Sequence, residues 1–378
     1  MTKLTNTFLI TFIFALMLGC NDTGIVEPTQ PNSQPTPTDT TFYRAVDLSF
    51  QPEANDWQTN YYDAAGNQIE VIPFFADHGV NLVRLRLWYA PEDGYCNLSK
   101  TIEMAKECKQ SGMNVLLCIQ YSDTWADPGN QSPPLAWQNL DLDAMKDSVY
   151  AYTRNVMLAF KSNDIMPAIV QIGNETNSGF LWDHGRVGGS FDDNWNNYIA
   201  LIARASTAIR DVDADGKVKI MMHYAGLEGA EWYFGKLAQN SVDYNYIGIS
   251  YYAIWHGKSL DYLKTVLSSL ASTYKRKVFL NETAYPWTLE WNDWTNNPWG
   301  ENSQLISAYP ATPEGQKAYL QEIKDIMTGF DKGLGFCYWA PDWVAFKGSE
   351  ATDGSTWENA TLFDFDNKAL PAFDVFAP

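Results

Sequence analysis

Two glutamates stand at the ends of short apolar runs. Glu175 follows Ile169-Val170-Gln171-Ile172-Gly173-Asn174, and Glu282 follows Val278-Phe279-Leu280-Asn281. Runs of this length, bounded by polar residues, read as buried strands. A carboxylate at the carboxyl end of such a strand points into the mouth of a closed sheet rather than into bulk solvent. Two carboxylates placed there can divide the cleavage of a glycosidic bond. One, with a raised pKa, protonates the leaving oxygen, while the other, kept ionised, attacks the anomeric carbon. One strand-end glutamate alone could as well pair with an arginine or cap a helix. Two of them point to catalysis on a sugar, because the chain is 15% aromatic, with 15 Trp and 21 Tyr, and aromatic faces stack on apolar sugar faces.

The elements that must position this pair follow from the alternation of short and long patterns. Strands are expected at Tyr43–Ser49, Leu82–Leu87, Asn114–Tyr121, Met166–Ile172, Lys219–His223, Tyr246–Tyr251, Val278–Glu282 and Gly335–Trp339. Helical periodicity covers Ile69–His78, Ser99–Ser111, Asp141–Lys161, Trp195–Val212, Glu228–Gln239, Leu260–Tyr274 and Pro313–Thr328. Strands alternating with helices in this way predict an α/β fold, a (β/α)8 TIM barrel forming a single catalytic domain over residues 42–378. The loops after the strands of such a barrel build its active site.

Residues ahead of the barrel read differently. Lys3, the apolar run Phe8–Leu18 and Gly19-Cys20 form a secretory signal over residues 1–20. Its Met17-Leu18-Gly19-Cys20 ending resembles a bacterial lipobox, which implies export and a lipid anchor on Cys20 at either the cell surface or the periplasmic face. Residues 21–41, rich in Pro, Thr, Asn, Gln and Ser, read as a disordered tether. The net charge of −19 argues against nucleic acid, anionic membranes and strongly acidic polymers, and favours a neutral ligand. Cys96 and Cys108 would sit at opposite ends of one helix, at ~1.5 Å rise per residue too far apart for a disulfide. Cys118 and Cys337 fall in buried strands, so free, buried thiols are expected. A monomer is the default.

The motifs around the two glutamates resemble a known family. Gly173-Asn174-Glu175 after a fourth strand, with a second glutamate closing a seventh, resembles the clan A glycoside hydrolases. Asp47-Leu48-Ser49, Leu85-Arg86-Leu87-Trp88, Gly94–Leu98, Tyr121–Gly129, Gln171–Glu175, Ser250-Tyr251-Tyr252 with Trp255-His256-Gly257, Glu282–Tyr285 and Tyr338-Trp339 are similar, in order, to blocks of family 53, the endo-β-1,4-galactanases. The resemblance implies a retaining hydrolase of β-1,4-galactan, the neutral side chain of pectin, that needs no cofactor. It implies Glu175 as acid/base, Glu282 as nucleophile and Asn174 as a partner of the sugar 2-hydroxyl. Tyr251 would help hold Glu282 ionised. Arg84 or Arg86 would support it from strand two; alternation puts both on one face and does not choose between them. Asp47 belongs to the same substrate-binding set. Trp88, Trp125, Trp255, Trp339 and Trp343 are candidate sugar platforms, and Asp123, Asp127, His223 and His256 candidate hydroxyl partners. Trp125 and Asp127 could instead order a Pro/Gly loop, and His223 could be a structural histidine. A same-clan hydrolase of another neutral polysaccharide, or a surface glycan-binding lipoprotein without catalysis, are the alternatives.

A metal motif lies elsewhere. Asp211-Val212-Asp213-Ala214-Asp215-Gly216 has the D-x-D-x-D-G spacing of a calcium loop, with the Lys217 carbonyl at position seven. Met222 stands where an EF-hand has its bidentate glutamate, and a solvated acidic turn is the competing reading. The resemblance also implies that calcium can sit in the loop after strand seven, but here that loop, Trp287 to Tyr309, has Glu290, Asp293 and Glu301 and no dense acidic motif to which such a site would be carried over. Any calcium would be structural.

Overall fold

The computed structural model describes residues 41–378. The expected signal segment, Cys20 and all but the last residue of the expected tether lie outside them. Eight parallel strands close into a barrel: β1 (Tyr43–Asp47), β2 (Leu82–Leu87), β3 (Asn114–Ile119), β4 (Ile169–Ile172), β5 (Lys219–Ala225), β6 (Tyr246–Ser250), β7 (Lys277–Thr283) and β8 (Gly333–Trp339). Each pairs with its sequence neighbours, and β8 closes on β1 through Tyr43↔Gly335 to Asp47↔Trp339. At Gly335, with φ near +144°, a Cβ would lie 2.0 Å from the Tyr43 carbonyl oxygen, so only glycine permits this closure.

Helices α1 (Gln51–Asp56), α2 (Val71–Asp77), α3 (Leu98–Gln110), α4 (Leu142–Ser162), α5 (Trp195–Val212), α6 (Ala230–Gln239), α7 (Ala253–His256), α8 (Leu260–Tyr274) and α9 (Pro313–Thr328) connect the strands. Side chains fix several starts: Asn97, Asp141, Ser259 and Thr312 accept a backbone N–H in the first turn of α3, α4, α8 and α9. The apolar stripe of each long helix then packs on the outer face of the sheet, as Val149, Val156 and Phe160 do from α4. Inside the barrel a second apolar layer of Tyr43, Ala45, Leu82, Leu116, Ile169, Met221 and Phe279 fills the lower half. Both faces of the strands are therefore buried, which explains their continuous apolar sequences.

Cys96, Cys108, Cys118 and Cys337 are free and buried. No helix among the described residues is long and apolar enough to cross a membrane.

Candidate active site

Above the apolar layer the inward positions turn polar. Alternation along β1, β2, β4, β5 and β7 brings Asp47, Arg84, Gln171, His223 and Asn281 to one level, all of them buried. Arg84 is the hub. Its Nη1 meets Asp47 Oδ2 at 2.7 Å and its Nη2 meets Glu282 Oε1 at 2.8 Å. Nη2 also donates to Asn174 Oδ1 at 2.7 Å, and Nε to Gln171 Oε1 at 3.2 Å. A guanidinium buried this deeply is tolerable because two carboxylates and two amide oxygens satisfy its fork. Of the two arginines on this face, then, Arg84 supports Glu282. Arg86, one pleat nearer the rim, lies 4.0 Å from the Trp125 ring and 4.7 Å from the Trp88 ring, and borders the cleft.

Glu282 is re-aimed by a register shift. Ile249 pairs with Leu280 but Ser250 pairs with Glu282, so β7 carries one extra residue at Asn281. Such bulges redirect a side chain at a sheet rim. The Tyr252 hydroxyl then donates to Glu282 Oε2 at 3.0 Å.

Glu175 is placed by a different device. Beyond the end of β4, Gly173 takes φ near +71° and Glu175 itself φ near +45°, a tight left-handed turn that brings its carboxyl back over the barrel. Glu175 N and Gln171 Nε2 both point at His223 Nδ1, at 3.2 and 3.0 Å. Two donors facing Nδ1 assign the ring proton to Nε2, which donates to Ser250 Oγ at 2.8 Å. Ser250 in turn hydrogen-bonds the Glu175 carboxyl.

A carboxyl oxygen of Glu175 lies within 4.8 Å of one of Glu282. Inverting glycosidases hold their carboxyls ~6.5–9.5 Å apart, and retaining ones ~5–5.5 Å. Burial, and next the neighbouring Glu282 charge, push the Glu175 carboxyl up to about 8. Burial raises Glu282 as well, but the Arg84 ion pair and the Tyr252 hydroxyl pull against it. The pair titrates as a unit, and the Arg84 ion pair and the Tyr252 hydroxyl favour the carboxylate on Glu282.

The family profile described as glycosyl hydrolase family 53 matches residues 43–376, nearly the whole described chain. The chain belongs to glycosyl hydrolase family 53. An arabinogalactan endo-beta-1,4-galactanase of Cellvibrio japonicus is 36% identical over 345 residues, covering 89% of this chain and 91% of the relative. Among solved structures, the Ignisphaera aggregans GH53 catalytic domain superposes with a TM-score of 0.83 at 34% identity, over 89% of this chain and 95% of that one. A fungal beta-1,4-galactanase structure gives a TM-score of 0.77 at 31% identity, over 89% and 99%.

In this family 53 chain the cleft is a cavity of about 490 Å³ whose lining includes Arg86, Trp125, Asp127, Asn174, Glu175, Tyr252, Trp255, His256, Glu282 and Trp339. Of the five candidate platforms, Trp125, Trp255 and Trp339 line this cavity. Burial lowers His256 to about 4, so its ring is neutral, and its Nδ1 accepts from Tyr252 N at 3.0 Å.

Several expected sugar contacts lie elsewhere. Asp47 is buried on Arg84 and Ser49, orienting the guanidinium rather than facing the cleft. His223 is wholly enclosed with both nitrogens engaged. Tyr251 is the wrong member of its pair: its hydroxyl donates to the Gly257 carbonyl at 2.6 Å, while Tyr252 holds Glu282. Trp88 is buried, donates to Gln120 Oε1 and meets Trp125 edge-on. Trp343 is stacked on Phe50 at 3.8 Å. Asp123 accepts from Ala90 N and Leu135 N, ordering the loop. Sequence reasoning missed Gln171, Ser250, Tyr252, Gln120 and Trp357. Gln171, a polar residue inside an apolar run, carried a signal of its own, and Ser250 and Tyr252 lay in a family-like block without a role assigned to them.

The candidate calcium residues are not brought together. Asp211 accepts the Tyr150 hydroxyl, Asp213 accepts Val218 N, and Asp215 pairs with Lys217. After β7, Asp293 accepts Thr295 N and Ser355 N, and Glu301 caps a short 3-10 turn. Neither loop fits a cation shell. Among the described residues, three ligating atoms converge only at Glu175, His223 and Glu282, where each already has a partner.

Proposed function

We propose that this chain hydrolyses β-1,4-galactosidic bonds within (arabino)galactan chains, with retention and from internal positions, releasing galactooligosaccharides. The carrying observation is the carboxyl pair held within 4.8 Å and divided into acid and carboxylate by Arg84 and Tyr252. Glu282 attacks the anomeric carbon while Glu175 gives its proton to the departing glycosidic oxygen. A covalent glycosyl–Glu282 ester results. Glu175, now ionised, takes a proton from water, the hydroxide attacks the anomeric carbon, and the Glu282 carboxylate leaves. Both steps run on carboxyl groups, so the reading requires no cofactor. A glycan binder without catalysis is not favoured, since binding has no use for such a pair.

The same reading takes the chain to be exported, monomeric and anchored by a lipid on Cys20. The apolar run ending in Met17-Leu18-Gly19-Cys20 supports the anchor.

Reducing-end release from β-1,4-galactan, for the intact protein and Glu282→Gln, tests the chemistry. Short oligosaccharides from the first and almost none from the second are expected. No release by the intact protein rejects galactan as substrate, and release that survives in Glu282→Gln rejects the nucleophile.

A further inference from the structure

The two carboxyls are held in place by different means. The Glu282 carboxyl is gripped directly, by Arg84 Nη2 at 2.8 Å and by the Tyr252 hydroxyl at 3.0 Å. The Glu175 carboxyl meets the Ser250 hydroxyl, and the backbone that carries it sets its aim. That backbone is the left-handed turn with φ near +71° at Gly173 and near +45° at Glu175. A residue with a Cβ persists in this region only where its surroundings over-determine it. On one side Gln131 Nε2, from the loop after β3, donates to the Asn174 carbonyl at 2.7 Å and to the Glu175 carbonyl at 3.3 Å. The other side faces β5.

The backbone pairing of β4 with β5 ends at Gln171↔Met221, four residues before β5 itself ends at Ala225. Beyond it, two side chains of the turn take over the rungs. Thr176 Oγ1 donates to the His223 carbonyl at 3.1 Å. Asn177 Nδ2 donates to the Ala225 carbonyl at 2.8 Å, and Asn177 Oδ1 accepts from Ala225 N at 2.8 Å. His223 and Ala225 are two residues apart, so their carbonyls lie on the same edge of β5. Asn177 N also donates to the Glu175 carbonyl at 2.8 Å. Asn177 is thus tied to Glu175 through its backbone and to the barrel through its side chain.

We propose that Asn177, with Thr176 beside it, is the positioning residue of the acid/base. By continuing the β4–β5 ladder with side chains it fixes the turn, and so the line along which Glu175 delivers its proton. This rests on the functional reading above. The grip on Glu282 runs through Arg84 and Tyr252 and includes neither side chain. Loss of the clamp therefore weakens proton delivery and spares nucleophilic attack.

The leaving group separates the two steps. A sugar oxygen needs a proton as it departs, whereas a dinitrophenolate departs without one. The test measures kcat/KM on β-1,4-galactan and on the dinitrophenyl glycoside of a short β-1,4-galactooligosaccharide, for the parent, Glu175→Gln, Asn177→Ala and Thr176→Val. Glu175→Gln is the reference: it loses galactan and keeps the dinitrophenyl substrate. If it loses both alike, or the parent cleaves neither, the functional reading fails and the proposal with it. With the reference in place, Asn177→Ala lowers kcat/KM on galactan by roughly 10²-fold and leaves the dinitrophenyl substrate nearly unchanged, and Thr176→Val moves in the same direction. A galactan-selective loss in neither variant, whether activity is kept on both substrates or lost on both, overturns the proposal.

Discussion

Removing the Tyr252 hydroxyl tests how the carboxyl pair is divided. Tyr252→Phe deletes one O–H and leaves the ring in place against Trp255 and Trp357. The lost bond, 3.0 Å to a buried Glu282 oxygen, favours the carboxylate form. Losing a hydrogen bond to a charged group, worth ~1.5–3 kcal/mol, raises Glu282 further. In the proposed mechanism only ionised Glu282 attacks, so the acidic limb of kcat/KM moves to higher pH by roughly one to two pH units, at ~1.4 kcal/mol per tenfold, and much of the activity returns above it. The assay is reducing-end release from galactan across a pH series. Tyr251→Phe is the matched control, since its hydroxyl serves the Gly257 carbonyl. It should lower the melting temperature while leaving the limb in place. A limb that moves in Tyr251→Phe but not in Tyr252→Phe would refute the assignment.

Two further outcomes follow from the same geometry. Glu175 has a folded-state pKa of about 8, raised above its unfolded value by burial, so the folded protein holds that proton more tightly. Its contribution to stability is complete below about 4.5 and is lost as pH rises through about 8. Glu175→Gln should therefore raise the melting temperature at pH 8 relative to the parent more than at pH 4; an equal change at both rejects the raised pKa. Gln171 bonds Arg84, Asn174 and Asn281 and faces His223, so it sets the two carboxyl supports against each other. Gln171→Met should lower kcat by roughly 10²-fold with little change in KM, as expected for misplaced catalytic groups. A parallel rise in KM would show a collapsed cleft instead.

The barrel was legible because its strands are buried on both faces. Asn114–Tyr121 and Tyr246–Tyr251 read as strands by apolar content alone and end at Ile119 and Ser250 in the structure, and the long helices read by their stripe and caps. Helices α1 and α7 were not, since six and four residues are too few to show periodicity. Glu175 and Glu282 were visible because each follows such a run. What surrounds them was less so. Period-two alternation puts Arg84 and Arg86 on one face, and only the register with Asp47 separates them. Tyr251 and Tyr252 lie just past the end of β6, where alternation no longer applies. Trp357 reaches the cleft from the long final loop, which has no period to read. The D-x-D-x-D-G spacing misled for a related reason: it states what three carboxylates can reach, whereas Tyr150, Val218 and Lys217 decide what they do reach.

The tryptophans of the cleft form a continuous series. Trp125 and Trp339 are 6.1 Å apart, Trp339 and Trp357 4.7 Å, Trp357 and Trp299 4.8 Å, and Trp299 and Trp255 6.3 Å. Indoles this close do not absorb or emit as separate chromophores; excitation is shared and their near-ultraviolet circular dichroism is exciton-coupled. Because Trp125, Trp255, Trp339 and Trp357 also line the cavity, any sugar seated there alters the shared states directly. The cleft thus contains its own optical reporter, and occupancy can be followed on unlabelled protein with unlabelled glycan.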